Sequence, residues 1–587
     1  MKLTFLTFVR AGLFLALVTL VAQCKQKEVH KSTTLKEYIG GEITGKYQIP
    51  PDCPEWVHTA VFYQIYPQTF YDSNGDGIGD LKGITKKLDY VKSLGVDAIW
   101  INPFFDSPFF DAGYDIRDYY KIAPRYGNNE DAKNLFAEAH KKGLKILFDF
   151  VTSYTSIENQ WFKESSKGKP NKYSNWYVWT DNVWIQEEGT FCNKFIQGYG
   201  ERNGMFMRNF FWSQPAVNFG FGEPDSTKKW QLPCNHPDVL AVREEMKKVC
   251  RFWLDMGADG FRADMAGDLV KGNDPNRDNV KFWQEVREIL KTDYPNAFMI
   301  SEWSKPTLSL DGAFHADFFH WTDGYRDIAQ AESWRILDGF SDGFSYFDKE
   351  GKGNITKFLD KYMTQYLATK AKGYISVPFG NHDIARINVN RTTDELEMIT
   401  ALGITLPGVP FIYYGNEIGM KQLYNLPQIE GSYNPRAGAR SPMQWTSGKN
   451  LGFSTAAAEK LWLPVDSAQD APTVESNEAD VNSLLNRVKK LISLKHSEPA
   501  LTAYAEFTPL YAKTKTYPFV FARANGKDVL IVVMNPIAKE TNATFELKAE
   551  GSSFILLAGK ELNISKTGTT VNVKIQGQTY AIYKLKK

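Results

Sequence analysis

Short apolar runs alternate with amphipathic segments over residues 61–410 of this sequence. In the first unit the apolar side chains keep the spacing of one helix face, at Ile84, Leu88, Val91 and Leu94. Gly95 ends this predicted helix, and the apolar run at residues 96–101 indicates a buried strand. The pattern therefore predicts a helix that is followed directly by a strand of a covered sheet.

The same unit recurs further along the chain. Residues 144–151 form a second apolar run after a helical segment that ends at Gly143, and residues 260–264 form a third. Repeated strand–helix units imply a parallel sheet covered by helices. Their number and total length favour an α/β fold of the closed eight-stranded (β/α)8 type, the TIM barrel, over an open sheet.

Two segments depart from this rhythm. Residues 153–236, rich in Trp, Asn, Gly and Phe, separate the strand at 144–151 (strand 3 of the expected barrel) from the next helix, and this length predicts a small inserted domain on the strand-end rim. Residues 499–587 are all-β in pattern, with an Asn525-Gly526 turn between two apolar runs, which predicts a C-terminal β-sandwich. The barrel is thus expected to occupy residues 55–152 and 237–498.

Composition excludes several classes of function. The 587 residues include 69 Lys+Arg and 68 Asp+Glu, and this balance argues against nucleic-acid binding, which needs a basic excess. With 43% hydrophobic residues the chain can bury enough apolar surface to fold, and its length implies two or three domains. The 14% aromatic content fits either core volume or a surface that stacks on flat ligands such as sugar rings.

Residues 1–24 are typical of an export signal. Positive charge at Lys2 and Arg10 accompanies an apolar run at residues 11–22 that is short for a transmembrane anchor. The string Leu-Val-Ala-Gln-Cys resembles a bacterial lipoprotein cleavage box in which Cys24 would carry lipid, although Gln23 replaces the usual small residue. We therefore expect a cell-envelope protein, periplasmic or on the outer membrane, with residues 25–54 as a tether and any membrane contact through the lipid.

The other cysteines favour a disulfide over a metal site. Their spacing contains no Cys-x-x-Cys element, which argues against zinc. In an exported chain a bond between Cys192 and Cys234 is one connectivity that the sequence leaves open. Cys250 lies in an apolar helical pattern and is expected to be buried.

Chemically active side chains cluster where predicted strands end. Asp264 closes one strand with Arg262 on the same face, Glu302 closes another, and His382 and Asp383 follow a third apolar run. The ends of barrel strands meet at one mouth, so these five side chains are expected to converge. A pair of carboxylates can cleave a glycosidic bond, one attacking the anomeric carbon and the other protonating the leaving oxygen. Each residue taken alone is better explained as a surface acid or a buried ion pair.

Several local strings, taken together, resemble the α-amylase family, glycoside hydrolase family 13. They are Gly-Phe-Arg-Ala-Asp at 260–264, Ile-Ser-Glu-Trp at 300–303, Asn-His-Asp at 381–383, Gln-Pro-Ala-Val-Asn at 214–218 and Gly-Val-Pro-Phe-Ile-Tyr-Tyr-Gly-Asn-Glu at 408–417. They occur in the order and spacing of that family, and the resemblance extends from about residue 56 to the C-terminus.

The resemblance implies a retaining mechanism through a covalent glycosyl-enzyme. Asp264 would be the nucleophile, and Arg262 would hold it ionised. Glu302 would be the general acid/base, which needs a raised pKa to keep its proton near neutral pH. Asp383, with His382 beside it, would bind sugar hydroxyls and stabilise the oxocarbenium-like transition state.

A further string narrows the resemblance to one branch of the family. Residues 439–445, Ala-Arg-Ser-Pro-Met-Gln-Trp, are similar to α-glucosidases, oligo-1,6-glucosidases and trehalose synthases. That branch implies a pair between Asp111 and Arg440 that closes the site into a pocket, with Tyr114 as the stacking platform for the terminal sugar. A closed pocket favours exo action on short α-glucosides. A purely structural ion pair is compatible with the same geometry.

The loop at residues 72–80 presents oxygen atoms at alternate positions, which suits a hard cation such as Ca²⁺. It is not an EF-hand, because Gly83 stands where the bidentate Glu should be. The matching loop of the α-glucosidase branch implies these ligands: Asp72, Asn74, Asp76, the Ile78 carbonyl and Asp80. A metal-free acidic turn is the alternative interpretation.

Two positions depart from the family pattern. Residues 149–154 align with a segment that normally ends in Asn-His, so Tyr154 stands where a histidine usually contacts the terminal sugar. Tyrosine can hydrogen-bond but cannot carry positive charge, which points to an altered sugar, another linkage or slower turnover. Met265 is neither the small residue that accompanies α-1,4 specificity nor the branched one of α-1,6 specificity. Asp149 is retained and is expected to steady Arg262.

The sequence thus favours an exported hydrolase, exo-acting on short malto- or isomaltooligosaccharides, with a neutral α-glucan oligosaccharide as its partner. One alternative is a glucosyl-transferring or isomerising relative such as a trehalose synthase. Another is a carbohydrate-binding relative that lost catalysis, but the retention of Asp264, Glu302 and Asp383 counts against it. Linkage, oligomeric state and disulfide connectivity are not determined at this level.

Overall fold

The computed structural model describes residues 36–185, 187, 193–272, 276–329, 344–432 and 436–586. The predicted leader at residues 1–24 and Cys192 lie outside these ranges, so the lipid attachment stays a prediction. Cys234 is a free thiol that donates to the Phe221 carbonyl, and its bond to Cys192 is not seen among the described residues. Over the described ranges, no helix combines the length and the apolar composition that crossing a bilayer requires.

Eight parallel strands form a near-closed barrel, which confirms the predicted fold class. They are β1 (Phe62–Ile65), β2 (Ala98–Ile101), β3 (Lys145–Val151), β4 (Gly260–Asp264), β5 (Phe298–Ser301), β6 (Ala316–Phe318), β7 (Tyr374–Ser376) and β8 (Phe411–Tyr413). The order in the sheet is β7-β6-β5-β4-β3-β2-β1-β8. At the seam between β7 and β8 the Ser376 hydroxyl donates to the Val409 carbonyl over 2.7 Å.

Helices connect the strands and cover the barrel. Their bounds are Leu81–Lys86 and Leu88–Ser93 after β1, Asn129–Lys141 after β2, Pro237–Asp255 after β3, Asn276–Asp293 after β4, Pro306–Ser309 after β5, Asp323–Ala329 and Ile355–Thr369 after β6, Thr393–Thr405 after β7, and Arg436–Ala439, Val474–Ala479 and Leu484–Ser497 after β8. The single helix expected to end at Gly95 is two helices that meet at Lys87, and its four apolar positions are all buried as predicted.

Local sequence explains where the site-bearing strand begins. Gly260 opens β4 at a φ of +147°, a conformation that residues with a Cβ rarely adopt. A Cβ there would lie 1.9 Å from the Phe298 carbonyl oxygen of β5. Glycine therefore lets β4 approach β5 closely, and this approach sets the register in which Arg262 pairs with Asp149 on one side and Ile300 on the other.

Aromatic rings fill the barrel below the strand ends. Phe62 stacks on Phe411 with ring centroids 4.5 Å apart, and Trp100 packs against Phe318 at 5.5 Å. The guanidinium carbon of Arg262 lies 5.2 Å from the centre of the Trp100 ring. The charged strand ends therefore rest on an apolar layer, where electrostatic interactions are stronger than in water. Part of the aromatic excess is accordingly core volume.

The segment between β3 and its helix packs as an aromatic unit beside the barrel mouth. It contains the helix Gln160–Ser165 and an antiparallel pair, Lys194–Ile196 with Phe206–Arg208. Phe162 stacks on Trp179 with the rings 9° from parallel. A bridge between Tyr154 and Ala216 joins this unit to the end of β3 and so positions Tyr154 at the site.

The C-terminal part is a sandwich of two sheets, as predicted. Its strands are β9 (Glu506–Ala512), β10 (Phe519–Asn525), β11 (Asp528–Asn535), β12 (Thr541–Lys548), β13 (Ser553–Gly559), β14 (Asn563–Thr567), β15 (Thr570–Ile575) and β16 (Thr579–Lys586). One sheet contains β9-β10-β11-β16-β13 and the other β12-β15-β14. Residues of the predicted tether add an edge strand to each sheet, Tyr38–Ile39 beside β9 and Gly41–Glu42 beside β12.

Candidate active site

Three carboxylates surround one guanidinium at the ends of β3, β4 and β5. Arg262 Nη1 lies 2.8 Å from Asp149 Oδ1 and 2.7 Å from Asp264 Oδ1, and its Nη2 lies 2.6 Å from Glu302 Oε2. All four side chains are buried. Parallel register and the two-residue period of the strands bring these positions to one face, so the arginine expected to hold Asp264 holds two further acids as well.

Burial and the shared arginine shift the pKa values of the three acids in opposite directions. Burial raises the pKa of Asp264 well above its ordinary value and that of Asp149 to about 6, and Arg262 opposes both shifts. Burial also raises the pKa of Glu302, but the guanidinium of Arg262 and the nearby His320 together outweigh it and hold the value below its usual range. The raised pKa expected for the general acid is therefore not found, because Arg262 Nη2 contacts Glu302 directly.

Asp383 lies between two arginines in the segment that follows β7, seven residues beyond Ser376. Its Oδ1 is 2.9 Å from Arg436 Nη2 and 3.0 Å from Arg440 Nη2. Although burial raises the pKa of Asp383, the guanidinium groups of Arg436 and Arg440 hold it well below its usual range. Asp383 is thus an anion whose geometry is set by two cations.

The prediction that Asp111 pairs with Arg440 is wrong. Arg440 binds Asp383, and Asp111 Oδ1 instead faces Arg436 Nη1 at 3.4 Å, while Gln214 donates to Asp111 Oδ2 over 2.8 Å. The two arginines lie one turn apart, since the Arg440 amide donates to the Arg436 carbonyl. Both side chains therefore face the same site, and the i, i+4 spacing is the sequence signal that identifies Arg436.

A neutral histidine links the β7 end to β1 and β2. His382 is fully buried, and burial lowers its pKa to about 3. Its Nε2 lies 2.6 Å from the Tyr114 hydroxyl, and its Nδ1 lies 3.0 Å from Gln64 Nε2 and 3.2 Å from Asn102 Nδ2. No sequence motif identifies Gln64 or Asn102 as site residues. Each is a polar residue at or just beyond the end of a strand, and this position is the sequence signal that could have identified them.

Tyr114, predicted as a stacking platform, is only 5% exposed. Its ring lies parallel to the His382 ring at 5.3 Å, and its hydroxyl donates to Asp149 Oδ2 over 3.0 Å. One face of the tyrosine is therefore occupied by the histidine. These contacts tie Tyr114 to the acid cluster as well as to the pocket wall.

Tyr154 contacts the acid proposed as the nucleophile. Its hydroxyl donates to Asp264 Oδ2 over 2.8 Å, so both oxygens of Asp264 have a donor, the other being Arg262. Burial raises the pKa of the phenol well above its ordinary value, which keeps the proton on tyrosine. The residue that replaces the family's histidine is thus a neutral donor to the carboxylate.

Glu302 has further contacts that sequence reasoning missed. The Met265 amide donates to Oε2 over 3.2 Å, and the Trp321 indole N–H donates to Oε1 over 2.9 Å. Met265 itself has a φ of +41°, in the left-handed region. Trp321 lies three residues beyond β6, a short strand that the apolar pattern did not indicate. Both carboxylate oxygens of Glu302, the general acid candidate, therefore accept a hydrogen bond.

The loop at residues 72–80 folds around its own acids. Asp72 accepts from the amides of Asn74, Gly75 and Gly77, and Asp80 accepts from the Gly83 amide as an N-cap. Within the described residues no group of three or more His, Cys, Asp and Glu side chains is arranged to hold a metal ion. The predicted donors, with an amide and a backbone carbonyl among them, are all oxygens, which suits a hard cation.

The arrangement offers one acid for attack, one for proton transfer and one anion for binding hydroxyls. Asp264 and Glu302 contact the same guanidinium from neighbouring strands, and Asp383 faces them from β7. Such a constellation at the carboxyl ends of barrel strands is suited to breaking an acetal bond.

Comparison with known proteins places this geometry in a family. Residues 64–504 match the family described as alpha amylase, catalytic domain. A trehalose synthase/amylase TreS from Mycolicibacterium smegmatis is 31% identical over 515 residues, covering 80% of this chain and 81% of that protein. An oligo-1,6-glucosidase from Heyndrickxia coagulans is 30% identical over 606 residues, covering 91% of this chain and 100% of that protein.

Solved structures agree on the fold. The trehalulose synthase MutB from Pseudomonas mesoacidophila matches with a TM-score of 0.74 at 26% identity, over 90% of this chain and 99% of that one. The α-glucosyl transfer enzyme XgtA matches with a TM-score of 0.72 at 26% identity, over 91% and 100%. With the family match spanning most of the chain, this protein belongs to the α-amylase family, glycoside hydrolase family 13, and is an enzyme of the glycosidase type.

Proposed function

We propose that this enzyme is a retaining, exo-acting α-glucosidase that cleaves the α-glucosidic bonds of short malto- or isomaltooligosaccharides. One observation carries the proposal: Asp264 and Glu302, on adjacent strands, contact one guanidinium at distances of 2.7 and 2.6 Å. Two carboxylates that share one guanidinium support a double displacement, in which the two acids lie close together.

In the first step an Asp264 oxygen attacks the anomeric carbon from the face opposite the leaving group. Glu302 transfers its proton to the glycosidic oxygen as the bond from this oxygen to the anomeric carbon breaks. The products are a glucosyl ester on Asp264, a free alcohol and an ionised Glu302. Asp383, held as an anion by Arg436 and Arg440, binds ring hydroxyls and favours the positive charge that develops on the sugar.

In the second step Glu302 takes a proton from water, whose oxygen attacks the anomeric carbon and displaces the Asp264 carboxylate. Two inversions restore the original configuration. Burial raises the pKa of Asp264 and Asp149, and the guanidinium of Arg262 opposes both shifts and so favours the ionised nucleophile that the first step requires.

The proposed exo action is supported by the contacts of Asp111 on one side of the site. Asp111 is buried and held between Gln214 and Arg436, and the same arginine contacts Asp383. This chain of contacts forms a polar wall next to Asp383. A wall at that place supports binding of a terminal glucosyl unit and argues against a continuing chain.

The second candidate is glucosyl transfer or isomerisation. It is favoured by the similarity to proteins named trehalose synthase/amylase TreS and trehalulose synthase MutB. The first step is common to both functions, and only the acceptor in the second step differs: a sugar hydroxyl instead of water. The nature of the acceptor therefore separates the two.

Product analysis tests the proposal. Incubation with maltose, isomaltose, sucrose, trehalose and maltoheptaose is followed by chromatography, and NMR identifies the first anomer released. We expect free α-glucose as the main product from the disaccharides and slower release from maltoheptaose. Trehalose or longer oligosaccharides as the main products would establish transfer, and β-glucose released first would exclude a retaining mechanism.

We propose that the loop at residues 72–80 binds Ca²⁺ through Asp72, Asn74, Asp76, the Ile78 carbonyl and Asp80. The all-oxygen donor set supports this. We expect Ca²⁺ to raise the melting temperature relative to EDTA, because saturation at about 100 times Kd stabilises by about 2.7 kcal/mol. Asp76→Asn, which removes one exposed charge, should reduce the response. Identical melting curves in Ca²⁺ and EDTA would show that the loop is a metal-free turn.

A further inference from the structure

Trp321 both donates a hydrogen bond to the acid/base carboxylate and remains exposed to solvent, and among the described residues that contact Glu302 it is the most exposed. Its indole N–H donates to Glu302 Oε1 over 2.9 Å, yet its side chain remains 45% exposed. The other Glu302 oxygen is already held by Arg262 and by the Met265 amide. The indole is therefore an edge-on donor to the carboxylate with a ring that faces outward.

The position of Trp321 is tied to the strand that carries Glu302. The Ser304 hydroxyl oxygen accepts from the amides of His320 and Trp321, at 3.3 and 3.0 Å, and the hydroxyl donates to the Phe318 carbonyl over 2.9 Å. Ser304 follows Glu302 by two residues. These hydrogen bonds join the end of β5 to the segment after β6 and so place the indole within reach of the carboxylate.

His320 adds a second group to this side of the site. Its Nε2 lies 3.4 Å from Glu302 Oε1 without hydrogen-bond geometry, and among the described residues neither ring nitrogen has a hydrogen-bond partner. Its ring centroid is 4.8 Å from that of Trp321. Of these two groups Trp321 makes the hydrogen bond to Oε1, while His320 lies close enough to help lower the pKa of Glu302.

A donor to a carboxylate favours its ionised form. Ionised Glu302 is what the second step of the proposed reaction requires, since the group must then accept a proton. An exposed indole face beside the same carboxylate is also where the sugar of the leaving group has to lie, and sugar rings stack on such faces. Trp321 can therefore both donate to Glu302 and stack on the leaving sugar.

We propose that Trp321 is the positioning residue of Glu302 and that its ring forms the platform for the sugar on the leaving-group side. One side chain then couples the ionisation of the acid/base to the binding of the leaving sugar or acceptor. The inference rests on the proposed function and goes beyond it by assigning the acceptor side.

The first test is Trp321→Phe, which keeps an aromatic ring and removes the N–H. Without this donor the protonated form of Glu302 persists to higher pH. The basic limb of the kcat/KM profile for maltose should therefore shift upward by about 0.5 to 1 pH unit. Trp184→Phe, at an indole that is 86% exposed in the inserted unit, is the matched control and should leave the profile unchanged.

The second test separates stacking from hydrogen bonding. Trp321→Ala should lower kcat/KM for maltose by about a further three- to tenfold relative to Trp321→Phe, because the leaving glucose loses its platform. With α-glucosyl fluoride the leaving group has no ring and needs little protonation. The two variants should therefore be alike on this substrate.

A profile of Trp321→Phe that superimposes on that of the unaltered enzyme would overturn the inference. If the melting temperature of Trp321→Phe falls, benzothienylalanine at position 321, with sulfur in place of the N–H, gives the same test on an isosteric ring. Glu302→Gln separates the two levels: full activity of that variant on maltose refutes the proposed function. Its inactivity, with an unshifted Trp321→Phe profile, refutes only the role of Trp321.

Discussion

Asp264→Asn abolishes turnover: we expect kcat for every α-glucoside cleaved by the unaltered enzyme to fall by about four orders of magnitude or more. A carboxamide of the same shape cannot form the glucosyl ester. Arg262 keeps Asp149 and Glu302 as partners, so the fold should persist. Steady-state kinetics and a thermal melt measure the two effects separately.

The control for this substitution is Asp311→Asn, an acid that is 62% exposed and paired with Lys372. It should retain activity. Asp264→Ala with added azide gives a sharper readout, because the small anion attacks from the face that the carboxylate left and yields a β-glucosyl azide. Activity of Asp264→Asn near that of the unaltered enzyme would remove Asp264 from the role of nucleophile.

Arg262→Ala should destabilise the fold by about 3–5 kcal/mol as well as inactivate the enzyme, because it leaves buried carboxylates without their cation. Each of Asp149, Asp264 and Glu302 lies within 2.8 Å of this guanidinium. Denaturant unfolding of the purified variant measures the loss. Arg251→Ala, at an exposed arginine paired with Asp293, is the control and should change stability by less than about 1 kcal/mol.

The stability of Arg262→Ala should fall as the pH rises. Burial already raises the pKa of Asp149 to about 6 and that of Asp264 well above its ordinary value, with Arg262 opposing. Without the arginine both folded-state values rise further. A folded state that binds protons more tightly than the unfolded state loses stability as pH rises from about 4 through the folded pKa. Arg262→Ala should therefore be more stable at pH 5 than at pH 8, and a flat profile would contradict the shared-cation geometry.

The barrel was predictable because its signal is local. The run at 260–264 coincides with β4, and the run at 144–151 begins one residue before β3. Apolar residues in a strand buried on both faces form an uninterrupted run, so a window of a few residues suffices. The helix before β2 was predicted as one element because the break at Lys87 does not disturb the apolar spacing.

The site was predictable only in part. Asp264, Glu302 and Asp383 stand at strand ends, and barrel topology brings such ends together whatever the details of packing. The partner of Asp111 was predicted wrongly, since Arg436 and Arg440 share one face and only their side-chain directions distinguish them. Trp321 was missed because its contact with Glu302 joins two loops.

Periodicity along the chain thus determined the strand–helix alternation, the all-β C-terminal part and the acids that converge on the barrel mouth, since each depends on residues close in sequence. The three-dimensional fold added what depends on burial and on contacts between distant segments. Three acids share one arginine, Tyr154 donates to Asp264, and the pKa of Glu302 is lowered where a raised value was expected. Charge states in a buried cluster depend on every neighbour at once, and those neighbours come from several strands and loops.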